Sequence, residues 1–464
     1  MGVGVSHWKL ARAVAKLGQL GVVSGTALDL VFARRLQDGD PGGDMRRGLD
    51  AFPFRNMAER IWNKYFIPGG KAPDEPYKPL PVHNCDGPVE RRELCIVANF
   101  VEVALAREGH DNPVGVNYLE KVQIPHLPSL YGAMLAGVGY VLMGAGIPLR
   151  IPGALDSLAQ HQPATYAMHV AGAEKTEDTA VSFTPHDFME GDLPPLRRPY
   201  FLVIVASNTL ATTMLRKANG RVDGLVVEGP TAGGHNAPPR GKGPLSEAGE
   251  PVYGERDEVD LEKLKELGVP FWLAGGYGTP ERLREALAAG ATGVQVGTAF
   301  ALCRESALRE EYKIAILASV MAREVQVFTD PLASPTGFPF KTVVLEGTLA
   351  DEEVYSLRPR VCDLGYLREA YRSSSGAVGY RCAAEPVAAY IAKGGTAEKT
   401  TGRKCLCNAL LANIDQSQIQ RGAYVETGLV TCGDCLADVA DLLPTGSPSY
   451  SAEDVITRLL GAVG

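Results

Sequence analysis

Between residues 109 and 304, short apolar runs alternate with helix-like stretches, and most of the runs end in glycine. Runs that read as strands fall near 113–117, 139–143, 201–205, 222–228, 269–274 and 292–296. Helical patterns lie between them, as at 128–136, 208–217, 261–267 and 280–289. The last of these has Thr279 as its cap, Pro280 in its first turn and Gly290 at its end, the usual start and stop chemistry of a helix. Continuous apolar strands separated by helices belong to a parallel sheet covered on both faces. Strand–helix units of about 25 residues build either a (β/α)8 TIM barrel or a doubly wound sheet. A doubly wound nucleotide fold concentrates its glycines after the first strand. Here they cluster at the C-terminal ends of several strands, where a barrel assembles its site, so the expected fold is the α/β barrel.

The chain has 464 residues, long enough for one large barrel with additions. Its net charge of -8 argues against a protein built to coat nucleic acid. Nine cysteines, an odd number with no secretory signal before them, do not make a disulfide framework. The most apolar stretch, 130–147, contains five glycines and reads as helix, turn and strand rather than a membrane span. A cytoplasmic protein is expected, acting on a small molecule without nucleic acid or membrane, with a homo-oligomer left open.

Two regions interrupt the repeat. Residues 37–90 are rich in Pro and Gly around one aromatic helix near 58–66, and residues 165–200 hold a hairpin pattern and a proline-rich return. Loops this long usually serve as lids or binding elements. The barrel is therefore assigned to 1–340 with these two insertions, and 341–464 to a helical, cysteine-bearing C-terminal region without strands. If the hairpin is an insertion, the barrel strands number seven, the first near 20–24; the alternative makes 165–170 an eighth.

Three constellations could carry chemistry. Glu228-Gly-Pro-Thr-Ala-Gly-Gly-His235 follows an apolar strand and puts glycines, which admit close approach of a ligand to the backbone, just before a histidine. Gly275 and Gly276, one unit ahead of Gln295, Val296, Gly297 and Thr298, stand at the two strand ends where barrels cradle phosphate with backbone N–H groups. In the tail, Cys362, Cys382, Cys405, Cys407, Cys432 and Cys435 fit no standard metal spacing, so no metal is assigned.

Five segments together resemble the nitronate monooxygenase (2-nitropropane dioxygenase-like) family of FMN-dependent barrels, relatives of the flavin-dependent enoyl-ACP reductases. They are Pro113-Val-Gly-Val-Asn117, Gly144-Ala-Gly-Ile-Pro148, Ala232-Gly-Gly-His235, Ala274-Gly-Gly276 and Gln295-Val-Gly-Thr298. The resemblance runs to about residue 340. It implies FMN as cofactor and His235 as the catalytic acid/base. It also implies Asn117, Glu228 and Gly233 beside the flavin, and Gly275, Gly276, Gln295, Val296, Gly297 and Thr298 around its phosphate. The implied reaction is oxidation of a nitronate or similar stabilised carbanion with O2. The alternatives are an enoyl-thioester reductase using NAD(P)H and FMN, or a non-catalytic metal-binding or docking module. The family usually has Gln at the position of Glu228, so a carboxylate there would disfavour anionic reduced flavin. Family members also precede the loop that Met1-Gly-Val-Gly resembles with an apolar strand, so an upstream strand is expected.

Overall fold

The computed structural model describes residues 2–173, 179–241, 243–444 and 447–461. Seven parallel strands form its central sheet: β1 (Gly21–Ser24), β2 (Val114–Leu119), β3 (Tyr140–Gly144), β4 (Tyr200–Val205), β5 (Gly224–Glu228), β6 (Phe271–Ala274) and β7 (Gly293–Gln295). Each pairs in parallel with the next in chain order. Such an order, without the reversal of a doubly wound sheet, curls a sheet into a barrel. All seven strands fall where the sequence places them.

Residues 165–170 are not an eighth strand. Ala164–Ala167 pairs antiparallel with Ala180–Phe183 in a separate two-stranded ribbon. Among the described residues no strand lies between β1 and β7. The N-terminal loop covers that side instead: Ser24 N–H donates to the Ser6 carbonyl at 2.8 Å, and Ala307 N–H to the Val5 carbonyl at 2.9 Å. The edge of β1 is thereby paired to a loop rather than left open.

Local chemistry accounts for the helices around the sheet. The Ser207 hydroxyl accepts from Leu210 N–H at the start of Asn208–Lys217, and Thr279 does the same for Arg282 at the start of Pro280–Ala288. Helix His126–Leu135 crosses Val89–Ala106 at backbone contact, because a Cβ on Gly132 would lie 2.1 Å from the Ile96 carbonyl oxygen. No described helix is long and apolar enough to cross a membrane.

The region after residue 341 has the expected helices but also a hairpin, Glu369–Arg372 with Val378–Arg381, which extends the inserted strand Val170–Ala171. Its alternation is masked by Tyr, Arg and Gly, so the sequence reading of a strandless tail is corrected here. The tail packs into one apolar cluster with the barrel, where Leu406, Leu411 and Leu429 meet Val31, Leu302 and Ile316.

Buried charge ties the inserted segment 37–90, the barrel and the tail together. The Asp29 carboxylate receives His83 Nε2 at 2.8 Å, Arg91 Nη2 at 2.8 Å and the Tyr366 hydroxyl at 2.8 Å. Burial alone would push the Asp29 carboxyl up, but Arg91, His83 and Tyr366 together hold it well below the carboxylate range. Removing one partner of such a pair leaves the other charge buried and unmatched, at about 3–5 kcal/mol. Asp29→Leu should lose about that much stability in urea unfolding; a loss under about 1 kcal/mol would show Arg91 to be solvated. Burial holds His83 below its ordinary value, so the unfolded chain binds a proton there before the folded one does. The contribution is complete above pH ~6.5 and is lost as pH falls from there toward the folded value, by up to ~1.4 kcal/mol per pH unit.

Candidate functional site

Alternation along the strands selects which side chains enter the barrel. Val226 lies in the inner cluster with Leu142, Leu202 and Ala274. Glu228, two residues on in β5, therefore points to the same interior at the strand's C-terminal end. Gly115 shares its face with Asn117, and a Cβ there would touch Val22 at 3.2 Å and Leu142 at 3.4 Å. Gly293 shares its face with Gln295, and a Cβ there would touch Trp272 at 3.2 Å. Asn117, Glu228 and Gln295 thus occupy inward rows at the C-terminal ends of three strands, and all three are partly exposed. Burial pushes the Glu228 carboxyl up to about 7, so it is close to half protonated at neutral pH. That weakens the objection that a carboxylate here must repel a reduced anionic flavin.

Past β6, Gly275 and Gly276 both adopt φ of 84°, a conformation that side chains rarely take. Past β7, a Cβ on Gly297 would meet nothing within 4 Å, and one on Gly276 would find only the Thr231 hydroxyl, at 3.6 Å. Among the described residues, the N–H groups of Gly276 and Gly297 donate to no backbone carbonyl. The Gly276 N–H meets the Cys435 thiol, so of these two donors the Gly297 N–H is the one left for a flavin phosphate. Val296 and Thr298 flank Gly297 and are partly exposed.

His235 follows β5 in a two-residue strand that pairs with Phe340 and Lys341. Its ring packs edge-on to Phe340, with centroids 4.9 Å apart. Its Nε2 lies 2.7 Å from the hydroxyl of the fully buried Ser334, which in turn meets the Thr336 hydroxyl at 2.8 Å. Burial pushes His235 down to about 3, so the imidazole is neutral at pH 7. The desolvated pocket disfavours the imidazolium.

The tail contributes what the sequence reading missed. Gly233, expected to be open beside a cofactor, packs against the peptide of Cys432 and Gly433; a Cβ on it would lie 2.7 Å from the Cys432 carbonyl carbon. Gly433 N–H donates to the Thr298 hydroxyl at 2.9 Å, and Asp434 N–H to the Thr231 carbonyl at 3.0 Å. Arg403 Nη1 donates to the Ser334 carbonyl at 2.6 Å, steadying the loop that holds His235. The only local signal was the run of small residues around Cys432 and Gly433.

All nine cysteines are free, and the Cys362 thiol is pushed up, first by its hydrogen bond to Cys382 and then by burial. Among the described residues, one trio has metal-compatible spacing: Asp29, His83 and Cys95. Arg91 already supplies the cation there, 2.8 Å from Asp29.

Replacing Ser334 with alanine removes the one protein partner of His235 Nε2. Leaving a buried polar group unpaired costs about 1–3 kcal/mol, so Ser334→Ala should lower stability by that amount in urea unfolding. An unchanged midpoint would mean that water replaces the hydroxyl.

Comparison with known proteins adds the following. The family model described as nitronate monooxygenase matches residues 150–330. A nitronate monooxygenase of Pseudomonas aeruginosa is 29% identical over 195 residues, covering 41% of this chain and 48% of that protein. A probable nitronate monooxygenase of Bacillus subtilis is 33% identical over 132 residues, covering 27% of this chain and 36% of that protein. The chain thus spans about half or less of the length of the curated relatives it matches. Among solved structures, FabK of Thermotoga maritima aligns with 99% of this chain and 89% of its own at TM-score 0.48 and 16% identity. A nitroalkane oxidase of Streptomyces ansochromogenes aligns with 100% and 94% at TM-score 0.44 and 14% identity. The matched segment runs from the helix after β3 to the strand beyond β7 and includes Glu228, His235 and both glycine turns, and over these residues the chain resembles the nitronate monooxygenase family, as its motifs imply.

Proposed function

We propose that the protein is an FMN-dependent oxidoreductase that oxidises a nitronate or a similarly stabilised carbanion, with O2 as the final electron acceptor. The observation that carries this reading is the convergence of Asn117, Glu228 and Gln295 on the barrel mouth, beside two glycine turns, of which the one at Gly297 leaves its N–H without a backbone carbonyl partner. The similarity to nitronate monooxygenases over residues 150–330 supports it. When bound, FMN supplies the redox chemistry by withdrawing electrons from an electron-rich carbon. The phosphate would rest on the Gly297 N–H with the hydroxyl of Thr298, beside the turn at Gly275 and Gly276, while Val296 and Gln295 flank it. Asn117 would border the ring system, whereas Gly233 is covered by the tail peptide at Cys432 and Gly433.

Two titratable groups whose environments push them in opposite directions suggest an acid and a base. Glu228, raised to about 7, is about half protonated near neutrality, and His235, lowered to about 3, is a neutral imidazole and a weak base unless a bound anion stabilises its protonated form. Ser334 fixes the imidazole ring, so His235 would take the α-proton only when the neutral carbon-acid form of the substrate binds, since a nitronate arrives without it. Glu228 in its protonated form would hydrogen-bond the developing negative charge.

Cofactor released from the purified protein should chromatograph as FMN, and Gly276→Asp should lose it by placing a carboxylate where the phosphate sits. Release of FAD would remove the phosphate assignment. Under anaerobic conditions an alkyl nitronate should bleach the flavin; bleaching by NADPH alone would move the assignment to a reductase. His235→Asn should keep flavin and lower turnover per flavin by about 10²–10⁴-fold, the usual size of general acid–base catalysis. Because protonated Glu228 is the active form, kcat/KM should fall as pH rises through about 7, and Glu228→Gln should flatten that limb. A wild-type profile level from pH 6 to 9 would remove Glu228 from the chemistry.

A further inference from the structure

Outside the barrel mouth, the inserted segment 37–90, the loop after β2, the inserted ribbon and the tail enclose a cavity of about 350 Å³. Its charged lining is lopsided: Lys121, Arg368, Arg381, Lys399 and Arg403 face a single carboxylate, Glu369. Glu369 is already paired with Arg381 at 3.0 Å, and Lys121 stands 4.0 Å from Glu120. Among the described residues, Arg368, Lys399 and Arg403 have no carboxylate within ion-pair distance; Asp330 acts on Arg403 only from farther away.

The two arginines are held in place by carbonyl groups. Arg368 donates Nε to the Gly365 carbonyl and Nη2 to the His83 carbonyl, and its guanidinium lies 4.8 Å over the Tyr380 ring. Arg403 donates Nη1 to the carbonyls of Leu332 and Ser334, at 2.7 and 2.6 Å, and Nε to that of Lys399. These bonds leave Arg368 Nη1 and Arg403 Nη2 without protein acceptors, and neither atom is among the fully buried unpaired ones. A guanidinium fixed by neutral carbonyls keeps its full charge and has already lost its rotamer freedom, so an anion that meets it bears little ordering cost. Ile124, Met168 and Leu367 line the same cavity with apolar side chains.

We propose that this cavity binds the phosphate group of a ligand that also carries an apolar portion. Three cations without carboxylate partners match a dianion, and the two guanidinium edges match phosphate oxygens. The cavity adjoins the barrel site: Thr336 lines it and reaches His235 through the Ser334 hydroxyl. The proposal stands apart from the flavin assignment, because it concerns different residues and can be read on protein with or without cofactor.

Titration calorimetry of the full chain with pyrophosphate, coenzyme A, NADPH and phosphate-free pantetheine tests it. Pyrophosphate and at least one of the two larger phosphates should bind with an affinity that falls as salt rises, and pantetheine should bind at least tenfold more weakly than coenzyme A. Binding of coenzyme A alone identifies a phosphorylated thiol arm, and of NADPH alone a nucleotide. Lys399→Glu, which reverses an exposed charge with no side-chain partner, and Arg368→Gln should each weaken binding at least tenfold, while Gly276→Asp should leave it unchanged. The proposal fails if no phosphate probe binds at about millimolar concentration in low salt, where surface screening is weakest. It fails also if Lys399→Glu, folded by its melting curve, binds as well as the wild type, or if Gly276→Asp abolishes binding.

Discussion

The Asp29 carboxylate is the point on which the parts of this molecule meet. It sits on the helix after β1, and its three partners come from the inserted segment (His83), the helix that follows it (Arg91) and the tail (Tyr366). An ion buried this deeply is tolerated only when its oxygens are satisfied by charge and hydrogen bonds together. That requirement ties down the end of the inserted segment, whose helices Asp44–Asp50 and Arg55–Tyr65 already pack into the core, and brings residues 29 and 366 into contact. Arg34, one turn further along the same helix, is also buried; it donates to the Gln416 carbonyl and lies 4.6 Å from the Tyr77 ring centre. Two polar ties on one helix thus anchor both additions to the barrel.

The anchored tail then changes the chemistry of the mouth. Thr431 to Cys435 lies against Gly233, Thr231 and Thr298, so one wall of the glycine-lined concavity comes from the far end of the chain. The loop that holds His235 is braced by Arg403 of the same region. Burial separates the two titratable groups, raising the carboxyl of Glu228 and lowering the imidazole of His235. In an open barrel mouth, water would bring both back toward their ordinary values.

Legibility in the sequence tracked the range of the forces involved. The seven strands were readable because each is a short apolar run and most are closed by glycine, and the Thr279 cap because its partner is three residues away. The glycine turns after β6 and β7 were readable because φ of 84° is nearly reserved for glycine. The hairpin at 369–381 was not, since its pairing partner, Val170–Ala171, lies about two hundred residues earlier and its exposed face carries Arg and Glu. The titration of His235 was unreadable for a similar reason: its burial comes from Phe340 and Ser334, about a hundred residues later.

The sequence by itself determined the barrel strands, their parallel order and the positions of Asn117, Glu228, Gln295 and the glycine turns at strand ends. Periodicity and backbone stereochemistry act within a few residues, so they are written locally. Tertiary structure alone decided that the N-terminal loop pairs with β1, that the tail walls the mouth, and that cations from distant segments line one cavity. These depend on which surfaces must be buried together and which charges can find partners there, and that is a property of the folded chain as a whole.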